Sequence, residues 1–400
     1  YVLSCSGSGS VTATGSTVDN SGTTGTQSIV TFVDLTATGD VTLTVTGTVT
    51  AINFRESLGL LIEGAATNEL RRSEDFSHAD WVATGAGTGS SPVVTANAAT
   101  SPDGTANADS IVFDVGAGTT LGDESTLAQT RASGTATIGQ PVTISMYVRG
   151  TPGAVLVWRG AGMGAYGTIT LSSTWTRVTR TETAAVDTAY LEVGIRQGTA
   201  AGTINSTVTA ELWGAQSEQA STASSYIETT TAAVTRTADS VSLTSTAFTA
   251  WHSAAQGTLY VEATAAATGA TRGLASLNDG SGSNVTQLFL TSSDAPRLEV
   301  YNGATQANLT ASAVTPTTAF KVAGAYKAND FALCSNGGAV GTDTSGAVPT
   351  VTQLSIGAIN GGTHQLNGHI RRITYWPTRL ANAELQAITT TGPEAIGYDS

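Results

Sequence analysis

Three side chains beside a glycine-rich segment have the chemistry of a sugar-binding surface. Trp158 and Arg159 precede the segment GAGMGAYG, and Tyr166 lies within it. Sugar rings stack on exposed aromatic faces, and arginine can orient their hydroxyl groups through hydrogen bonds. We therefore predict a glycan-binding surface at Trp158, Arg159 and Tyr166. Packing in a core or against another subunit is the alternative for each of them.

Two other aromatic residues have polar neighbours that could serve the same purpose. Trp251 precedes His252, and Tyr301 precedes Asn302. Each pair places a ring next to a group that can hydrogen-bond a hydroxyl. We count Trp251, Tyr301 and Asn302 as further glycan-binding candidates, with packing as the alternative.

Paired carboxylates are what a glycosidase or a lyase would need, on either side of the bond that breaks. Glu74-Asp75 and Asp123-Glu124 are adjacent in sequence. Neighbours in a strand point to opposite faces, and in a loop they are usually solvated. Distant carboxylates could still converge in space, which the sequence leaves open. We predict no catalytic residues and no enzymatic activity.

The glycines at 162, 164 and 167 match the spacing GxGxxG of dinucleotide-binding loops. Such a site requires a helix directly after the loop, because the helix N-terminus holds the pyrophosphate. The residues that follow here are TITLSS, which is typical of a strand. We therefore interpret these glycines as a hairpin or a flexible loop.

Histidine and cysteine give no support for a metal site. A structural zinc site needs several ligands at short spacing, and no such group occurs among His78, His252, His364 and His369. Cys5 and Cys334 form no CxxC pair. We expect two unrelated free thiols, with one long-range disulfide as the alternative, and no cofactor.

The composition indicates an all-β protein with a weakly charged surface. Charged residues make up 12% of the 400 residues, whereas exposed helix faces need many of them. The 45 glycines and the many Thr and Val residues suit turns and strands. The formal net charge of −13 argues against nucleic acid as a partner, and no apolar run is long enough to insert in a membrane.

Strand signals follow one another along the whole chain at short intervals. Residues 1–56 are Thr- and Gly-rich and predict two or three strands of a small β segment. Residues 57–230 and 231–400 each carry the spacing of an antiparallel sandwich. The one predicted helix lies in RLANAELQAITTTG, with Leu380, Leu385 and Ile388 on its buried face.

Several ordered motifs of residues 57–230 resemble a module of bacteriophage virion proteins. They are GLLIEGAATNEL, SEDFSHADW, SPDGTANADSIV, STWTRVTRT and the long run that begins WGAQSEQ. The module occurs in tail fibres, tailspikes and head-attached fibres, and it is similar to carbohydrate-binding jelly rolls joined to glycosidases. The resemblance implies that Trp81, Trp175 and Trp213 belong to the core.

Residues 231–400 resemble a laminin G or concanavalin A-like lectin sandwich. The resemblance rests on FKVAGAYKANDFALCSNGGAV, then QLSIGA, then LNGHIRRITYWPTRLANAEL. A lectin-type calcium ion is conceivable in such a domain. Asp279, Asn329 and Asp330 have the right chemistry for it, but nothing in the sequence supports a metal, and we predict none.

The segment 211–241 is interpreted as a domain junction. The resemblance places Trp213 and Gln216 on the last strand of the first sandwich, within its core, and packs Tyr226 against the same domain. Arg236 and Asp239 are three residues apart and are expected to fix the crossover by a charge-assisted hydrogen bond.

The fold predicted from these observations is all-β, with a jelly-roll-like sandwich and then a lectin-like sandwich after the N-terminal segment. The resemblance implies a non-enzymatic phage virion protein, a tail fibre or a head fibre, that attaches to host cell-surface glycans. Its expected partners are copies of itself, as a trimer by analogy, and other virion proteins. The alternatives are a purely structural spacer, a polysaccharide depolymerase and a secreted bacterial adhesin.

Overall fold

The structure, a computed structural model, describes residues 59–162, 164–198, 205–359 and 362–396, and it gives the backbone of six strands before residue 56. Its contacts divide the chain into two compact units. Unit 1 consists of Tyr1–Ile62 and Val241–Ser400, and unit 2 consists of Glu63–Ser240. The predicted boundaries after residues 56 and 230 stay predictions.

The N-terminal segment contains more strands than predicted. They are β1 (Val2–Gly7), β2 (Ser10–Thr14), β3 (Thr23–Thr24), β4 (Ile29–Phe32), β5 (Thr42–Thr46) and β6 (Val49–Arg55). They form two three-stranded antiparallel sheets, in the orders β4-β1-β6 and β3-β2-β5. The predicted alternation of apolar and Thr residues lies within strands of this segment, for example in β5, TLTVT.

Unit 2 is an antiparallel sandwich of two five-stranded sheets. Its strands are β8 (Ala66–Asn68), β9 (Val82–Ala86), β10 (Ser90–Ala99), β11 (Ala108–Asp114), β12 (Glu124–Thr130), β13 (Pro141–Gly150), β14 (Val155–Gly160), β15 (Gly167–Thr170), β16 (Thr176–Thr183), β17 (Tyr190–Arg196), β18 (Thr207–Glu218) and β19 (Val234–Arg236). One sheet has the order β10-β11-β18-β13-β16, and the other has the order β15-β14-β17-β12-β9. A separate two-stranded ladder joins β8 to β19.

Apolar side chains from both sheets fill the space between them. Ile111, Met146 and Leu212 come from the first sheet, and Leu127 and Val193 come from the second. Because side chains alternate along a strand, the same alternation leaves a polar face on the outside of each sheet. β14 and β15 form an antiparallel hairpin, and Gly167 is the first residue of β15, which confirms that a strand and not a helix follows these glycines; Met163 lies outside the described residues.

Unit 1 contains a second sandwich, built from two six-stranded sheets. Its strands are β7 (Leu60–Ile62), β20 (Val241–Thr244), β21 (Gln256–Ala265), β22 (Arg272–Asn278), β23 (Asn284–Leu290), β24 (Pro296–Asn302), β25 (Thr305–Thr310), β26 (Phe320–Lys327), β27 (Phe331–Ser335), β28 (Gly341–Asp343), β29 (Gln353–Ile356) and β30 (Gly368–Trp376). The sheet orders are β20-β29-β22-β23-β24-β25 and β28-β27-β26-β21-β30-β7. The chain is therefore all-β with antiparallel sandwiches, which confirms the predicted fold class.

The predicted helix forms as α2 (Asn382–Thr391). Leu385 and Ile388 are buried, and Leu380 packs in the same cluster just before the helix. The Ala381 amide donates to the Glu384 carboxylate at 2.6 Å, which satisfies one free N–H at the helix start.

The structure also contains a second, shorter helix and a buried free thiol. The helix α1 (Ser245–Thr249) was not predicted, because five residues are too few to show a helical period. Cys334 is a buried free thiol, as predicted, whereas the side chain of Cys5 lies outside the described residues.

Candidate functional site

Trp158 and Arg159 are adjacent on β14 and therefore point to opposite faces of the sheet. Trp158 is the cross-strand partner of Val193 and belongs to the core, with 3% of its surface exposed. A sugar cannot stack on a ring that is enclosed in this way. The prediction that Trp158 contributes an open aromatic face is wrong, and the reason is the register of β14.

Arg159 and Tyr166 do come together, around a carboxylate that the sequence analysis did not single out. Glu192 is the cross-strand partner of Arg159 on β17. Arg159 Nε donates to Glu192 Oε2 at 2.6 Å, and the Tyr190 hydroxyl donates to the same oxygen at 2.6 Å. The Tyr166 hydroxyl donates to the other oxygen, Oε1, at 3.0 Å. One buried carboxylate thus orients three surface groups.

A second arginine extends this arrangement along the face. Arg196 Nη1 lies 3.0 Å from the Tyr166 hydroxyl and 2.6 Å from Glu124 Oε2. The Arg159 guanidinium lies 4.5 Å from the centre of the Tyr166 ring, and the Arg196 guanidinium lies 5.5 Å from it. We call the six residues the Arg159 network: Glu124, Arg159, Tyr166, Tyr190, Glu192 and Arg196.

Exposure differs within the Arg159 network. The side chains of Arg159 and Arg196 are 20% and 26% exposed, whereas that of Glu192 is 5% exposed. Burial and the nearby Glu192 charge raise the pKa values of Tyr166 and Tyr190, so both hydroxyls stay protonated donors at neutral pH. The outer face therefore presents two guanidinium groups and a tyrosine in fixed positions.

The sequence carried a signal for the missed members of the network. In the segment YLEVGIR, Tyr190, Glu192 and Arg196 alternate with the core residues Leu191, Val193 and Ile195. That period of two puts all three polar residues on one face of β17. Their proximity to Arg159 and Tyr166 could not be predicted from the sequence, because it depends on the strand order.

The adjacent carboxylates Asp123 and Glu124 have separate roles. Asp123 accepts hydrogen bonds from the backbone N–H groups of Thr88 and Thr120, both at 2.8 Å. Glu124 instead pairs with Arg196. Asp123 therefore holds two loops together, while Glu124 belongs to the network.

Trp251 in unit 1 lies half-buried beside α1. Its Nε1 donates to the Ala247 carbonyl at 2.6 Å, and its ring makes edge contacts with Phe248 and Tyr375, at 5.0 and 4.9 Å between centroids. These contacts fit the packing alternative for Trp251. Its glycan-binding role stays a prediction.

Tyr301 and Asn302 end β24, at the tight turn into β25. Tyr301 is half-buried and Asn302 is exposed. The Asn302 N–H donates to the Ala304 carbonyl at 2.9 Å, which closes the turn. Their glycan-binding role also stays a prediction.

Residues of the predicted junction pack within unit 2. Trp213 is 4% exposed, and its ring lies 4.5 Å from that of Tyr226. Gln216 is fully buried, and its Oε1 accepts the Ile227 N–H at 2.7 Å. Arg236 Nη1 lies 3.3 Å from Asp239 Oδ1.

The three oxygen-bearing residues considered for calcium are each engaged locally. Asp279 accepts hydrogen bonds from Ser281 and Asn284, the Asn329 side chain accepts the Gly346 N–H, and Asp330 pairs with Arg379 at 2.9 Å. Within the described ranges, no group of three or more His, Cys, Asp or Glu residues is placed to hold a metal ion. The helices among those residues are all too short or too polar to cross a membrane.

Comparison with solved structures gives partial likenesses at low identity. The CBM40 of the Ruminococcus gnavus IT-sialidase, bound to α2,3 sialyllactose, is 20% identical, with a TM-score of 0.31, over 34% of this chain and 84% of that one. A mutant of the NanB sialidase from Streptococcus pneumoniae is 15% identical, with a TM-score of 0.33, over 38% of this chain and 27% of that one. The leech intramolecular trans-sialidase is 18% identical, with a TM-score of 0.32, over 35% and 24%. No family model and no curated protein matches the chain.

Proposed function

We propose that unit 2 is a non-catalytic glycan-binding module and that the Arg159 network is its binding surface. The observation that carries this proposal is the placement of two guanidinium groups beside one tyrosine on the outer face of the sheet. Guanidinium groups donate hydrogen bonds to sugar hydroxyls, and the exposed part of an aromatic face packs against the C–H groups of a sugar ring. Because Glu192 fixes Arg159 and Tyr166, and Glu124 fixes Arg196, little conformational entropy is lost on binding.

A glycan array with matched variants tests this surface. We expect the wild-type protein to bind a subset of glycans, and Arg159→Gln to weaken that binding about 10- to 100-fold through the loss of a charged donor. Tyr166→Phe removes the hydroxyl between Arg196 and Glu192 and should weaken binding to a smaller extent.

The control is Arg149→Gln. Arg149 also pairs with a glutamate, Glu211, and lies 4.8 Å from an aromatic ring, that of Trp175, but it belongs to the other sheet. Its replacement should leave glycan binding unchanged. Equal binding by the wild-type protein and Arg159→Gln would overturn the proposed surface.

The proposal that unit 2 has no catalytic activity is tested by a separate experiment. Glu192 accepts three hydrogen bonds, from Arg159, Tyr166 and Tyr190, and its role in this proposal is to orient those side chains. We expect no new reducing ends when the protein is incubated with bacterial polysaccharides. Release of oligosaccharides that Glu192→Gln abolishes would make the protein a depolymerase.

The biological setting that we propose is attachment of a phage particle to host cell-surface glycans, as a homo-oligomer on the virion. This part rests on the ordered motifs from GLLIEGAATNEL to WGAQSEQ. Immunogold electron microscopy with an antibody against residues 231–400 tests it. Gold at the tail tip would support attachment, whereas gold over the head would indicate a head fibre. Particles without gold would overturn the virion setting.

A further inference from the structure

A shallow cleft of about 200 Å³ opens in unit 2, lined by residues outside the Arg159 network. We call it the Arg72 cleft, and its lining consists of Arg72, Glu74, Asp75, Asn97, Asn107, Glu228, Thr229 and Thr230. It is smaller than the roughly 300–1,000 Å³ of pockets for drug-sized ligands. A single sugar ring is the size of ligand that it admits.

Two segments that are far apart in sequence form the wall of the cleft. The Arg72 N–H donates to the Thr230 carbonyl at 2.9 Å, and the Ser73 N–H donates to the Thr229 carbonyl at 3.1 Å. The Ser73 hydroxyl accepts the Thr229 N–H at 2.8 Å and lies 2.6 Å from the Tyr226 hydroxyl. The cleft is therefore a fixed part of the fold.

Polar groups without a protein partner gather at this cleft. In the part of the chain that the structure describes, the Arg72 guanidinium has no ion pair and no hydrogen bond, and its Nε is buried. Asn107 Oδ1 and Thr229 Oγ1 are also buried without a partner, and Thr229 is only 2% exposed. Unpaired buried groups cost free energy, so three of them beside one cleft point to a ligand that satisfies them.

Backbone strain occurs at the same place. Arg72 has φ of 52°, in the left-handed region that residues other than glycine, asparagine and aspartate rarely occupy; Asn97 has the same φ, which asparagine adopts readily. Such conformations persist where the surrounding structure enforces them, and they concentrate at ligand sites. The strained backbone of Arg72 adds a second indication of binding.

The carboxylates of the cleft restrict what it can hold. Glu74 is oriented by the Tyr226 hydroxyl at 3.0 Å and by Asn107 Nδ2 at 2.7 Å. Asp75 and Glu228 lie in the same lining. Three carboxylates against one guanidinium give the cleft a net negative charge, which repels sugars that carry carboxylate, sulfate or phosphate groups.

We propose that the Arg72 cleft is a second glycan site of unit 2, which takes one terminal, uncharged sugar residue. Vicinal hydroxyl groups of the sugar accept hydrogen bonds from the Arg72 guanidinium and donate to Glu74 and Asn107 Oδ1. The Thr229 hydroxyl bonds a further oxygen of the same ring. This site stands on residues other than those of the Arg159 network and goes beyond the function proposed for it.

Saturation-transfer NMR with small glycosides tests the cleft on the full chain. The probes are the methyl glycosides of glucose, galactose, mannose, fucose and N-acetylglucosamine, with methyl glucuronide as the anionic counterpart. We expect at least one neutral glycoside to bind and the glucuronide not to bind. Arg72→Gln should weaken binding about 10- to 100-fold, which removes the signal of a weak ligand.

Two further variants show whether the glycoside signal comes from the Arg72 cleft. In Arg159→Gln, where the Arg159 network no longer contributes, the signal of the cleft itself should remain, so that a failure of the network and a failure of the cleft give different results. Arg371→Gln changes an exposed arginine of unit 1 and should also keep the signal. No signal from any neutral glycoside in the Arg159→Gln background, or a signal that survives when Arg72→Gln is added to it, would overturn the proposal, and binding of the glucuronide alone in that background would overturn the ligand class.

Thr229→Val adds a readout that a merely structural residue would not give. It removes an unpartnered buried hydroxyl at nearly constant volume, so we expect the Tm to rise by about 2–4 °C while glycoside binding weakens. A stabilised Thr229→Val protein that binds as the wild type does would overturn the role of this hydroxyl.

Discussion

Glu63 and Asp239 lie 176 positions apart in the chain and exchange two hydrogen bonds. The Glu63 N–H donates to Asp239 Oδ2, and the Asp239 N–H donates to the Glu63 carbonyl, both at 2.9 Å. Arg236 lies between them, 3.4 Å from Glu63 Oε2 and 3.3 Å from Asp239 Oδ1. The two ends of unit 2 are thus joined by hydrogen bonds of the backbone N–H groups and by the ion pairs of Arg236.

Asp239→Ala should destabilise unit 2 by about 1–3 kcal/mol, because it leaves the Glu63 N–H and one side of Arg236 without a partner. Urea denaturation monitored by tryptophan fluorescence measures the change. Asp343→Ala is the control, since among the described residues the Asp343 carboxylate hydrogen-bonds only to nearby Ser345, and its loss should cost less than about 0.5 kcal/mol. Equal losses in the free energy of unfolding for the two variants would show that the Asp239 contacts do not stabilise unit 2.

Asn68→Asp should destabilise unit 2 far more. Asn68 is fully buried and uses its whole amide: Nδ2 donates to the Ala215 and Ile227 carbonyls at 3.0 and 2.9 Å, and Oδ1 accepts the Leu70 and Ser217 N–H groups. A carboxylate would place a second acceptor against two carbonyls, and no cationic side chain of the described residues hydrogen-bonds to Asn68.

We expect Asn68→Asp to cost roughly 3–5 kcal/mol, the range for an uncompensated buried charge. The measurement is the urea midpoint at pH 7 and again at pH 4, where protonation of the new carboxyl should recover part of the loss. A variant as stable as the wild type at pH 7 would show that the amide network contributes little.

Gly214 occupies a position in β18 that only glycine fits without strain. Its φ is 67°, and a Cβ atom there would lie 3.2 Å from the Tyr226 ring and 3.3 Å from the Tyr147 ring. Gly214→Ala should cost about 1–2 kcal/mol for the backbone, with a further cost for displacing the rings. Gly134→Ala is the control, with φ of 87° and open space around it. Thermal unfolding should rank Gly214→Ala below Gly134→Ala, and the reverse order would contradict the ring contact.

The sequence predicted the fold class because strand formation is largely a local matter. The alternation in segments such as PVTISMYVRG, now β13, has a period of two and turn residues at each end. Strand order is not local. Strand β7, for example, pairs with β30, with Ile62 opposite Gly368. No residue pattern in the sequence predicts this pairing between strands so far apart.

For the candidate sites, too, residue types could be predicted from the sequence, but the spatial arrangement of the residues could not. Arg159 and Tyr166 were predicted from residue type, but the burial of Trp158 depends on the register of β14 against β17. The Arg72 cleft could not be predicted, because it forms only where the turn at Arg72 hydrogen-bonds to Thr230, and its indicators are unpaired atoms and backbone angles.

His252 should make the stability of unit 1 depend on pH near neutrality. Its ring stacks on Phe248 at 4.4 Å between centroids, and its Nε2 lies 3.3 Å from the Tyr326 hydroxyl. Burial lowers the pKa of His252 below its ordinary value of about 6.5. Below about pH 6.5 the His252 imidazole of the unfolded chain binds a proton, whereas that of the folded protein does not until a lower pH. The free energy of unfolding therefore decreases as the pH falls below about 6.5.

The measurement is the urea midpoint of unfolding between pH 7.5 and pH 5.5. His252→Gln carries no titrating group and should show a flatter dependence than the wild type, although the loss of ring stacking will lower its stability throughout. His364→Gln, at an exposed imidazole, is the matched control and should keep the wild-type slope. If His252→Gln and the wild type lose stability in parallel on acidification, the proton uptake occurs at another group, and the packing around α1 does not exclude the charged imidazole.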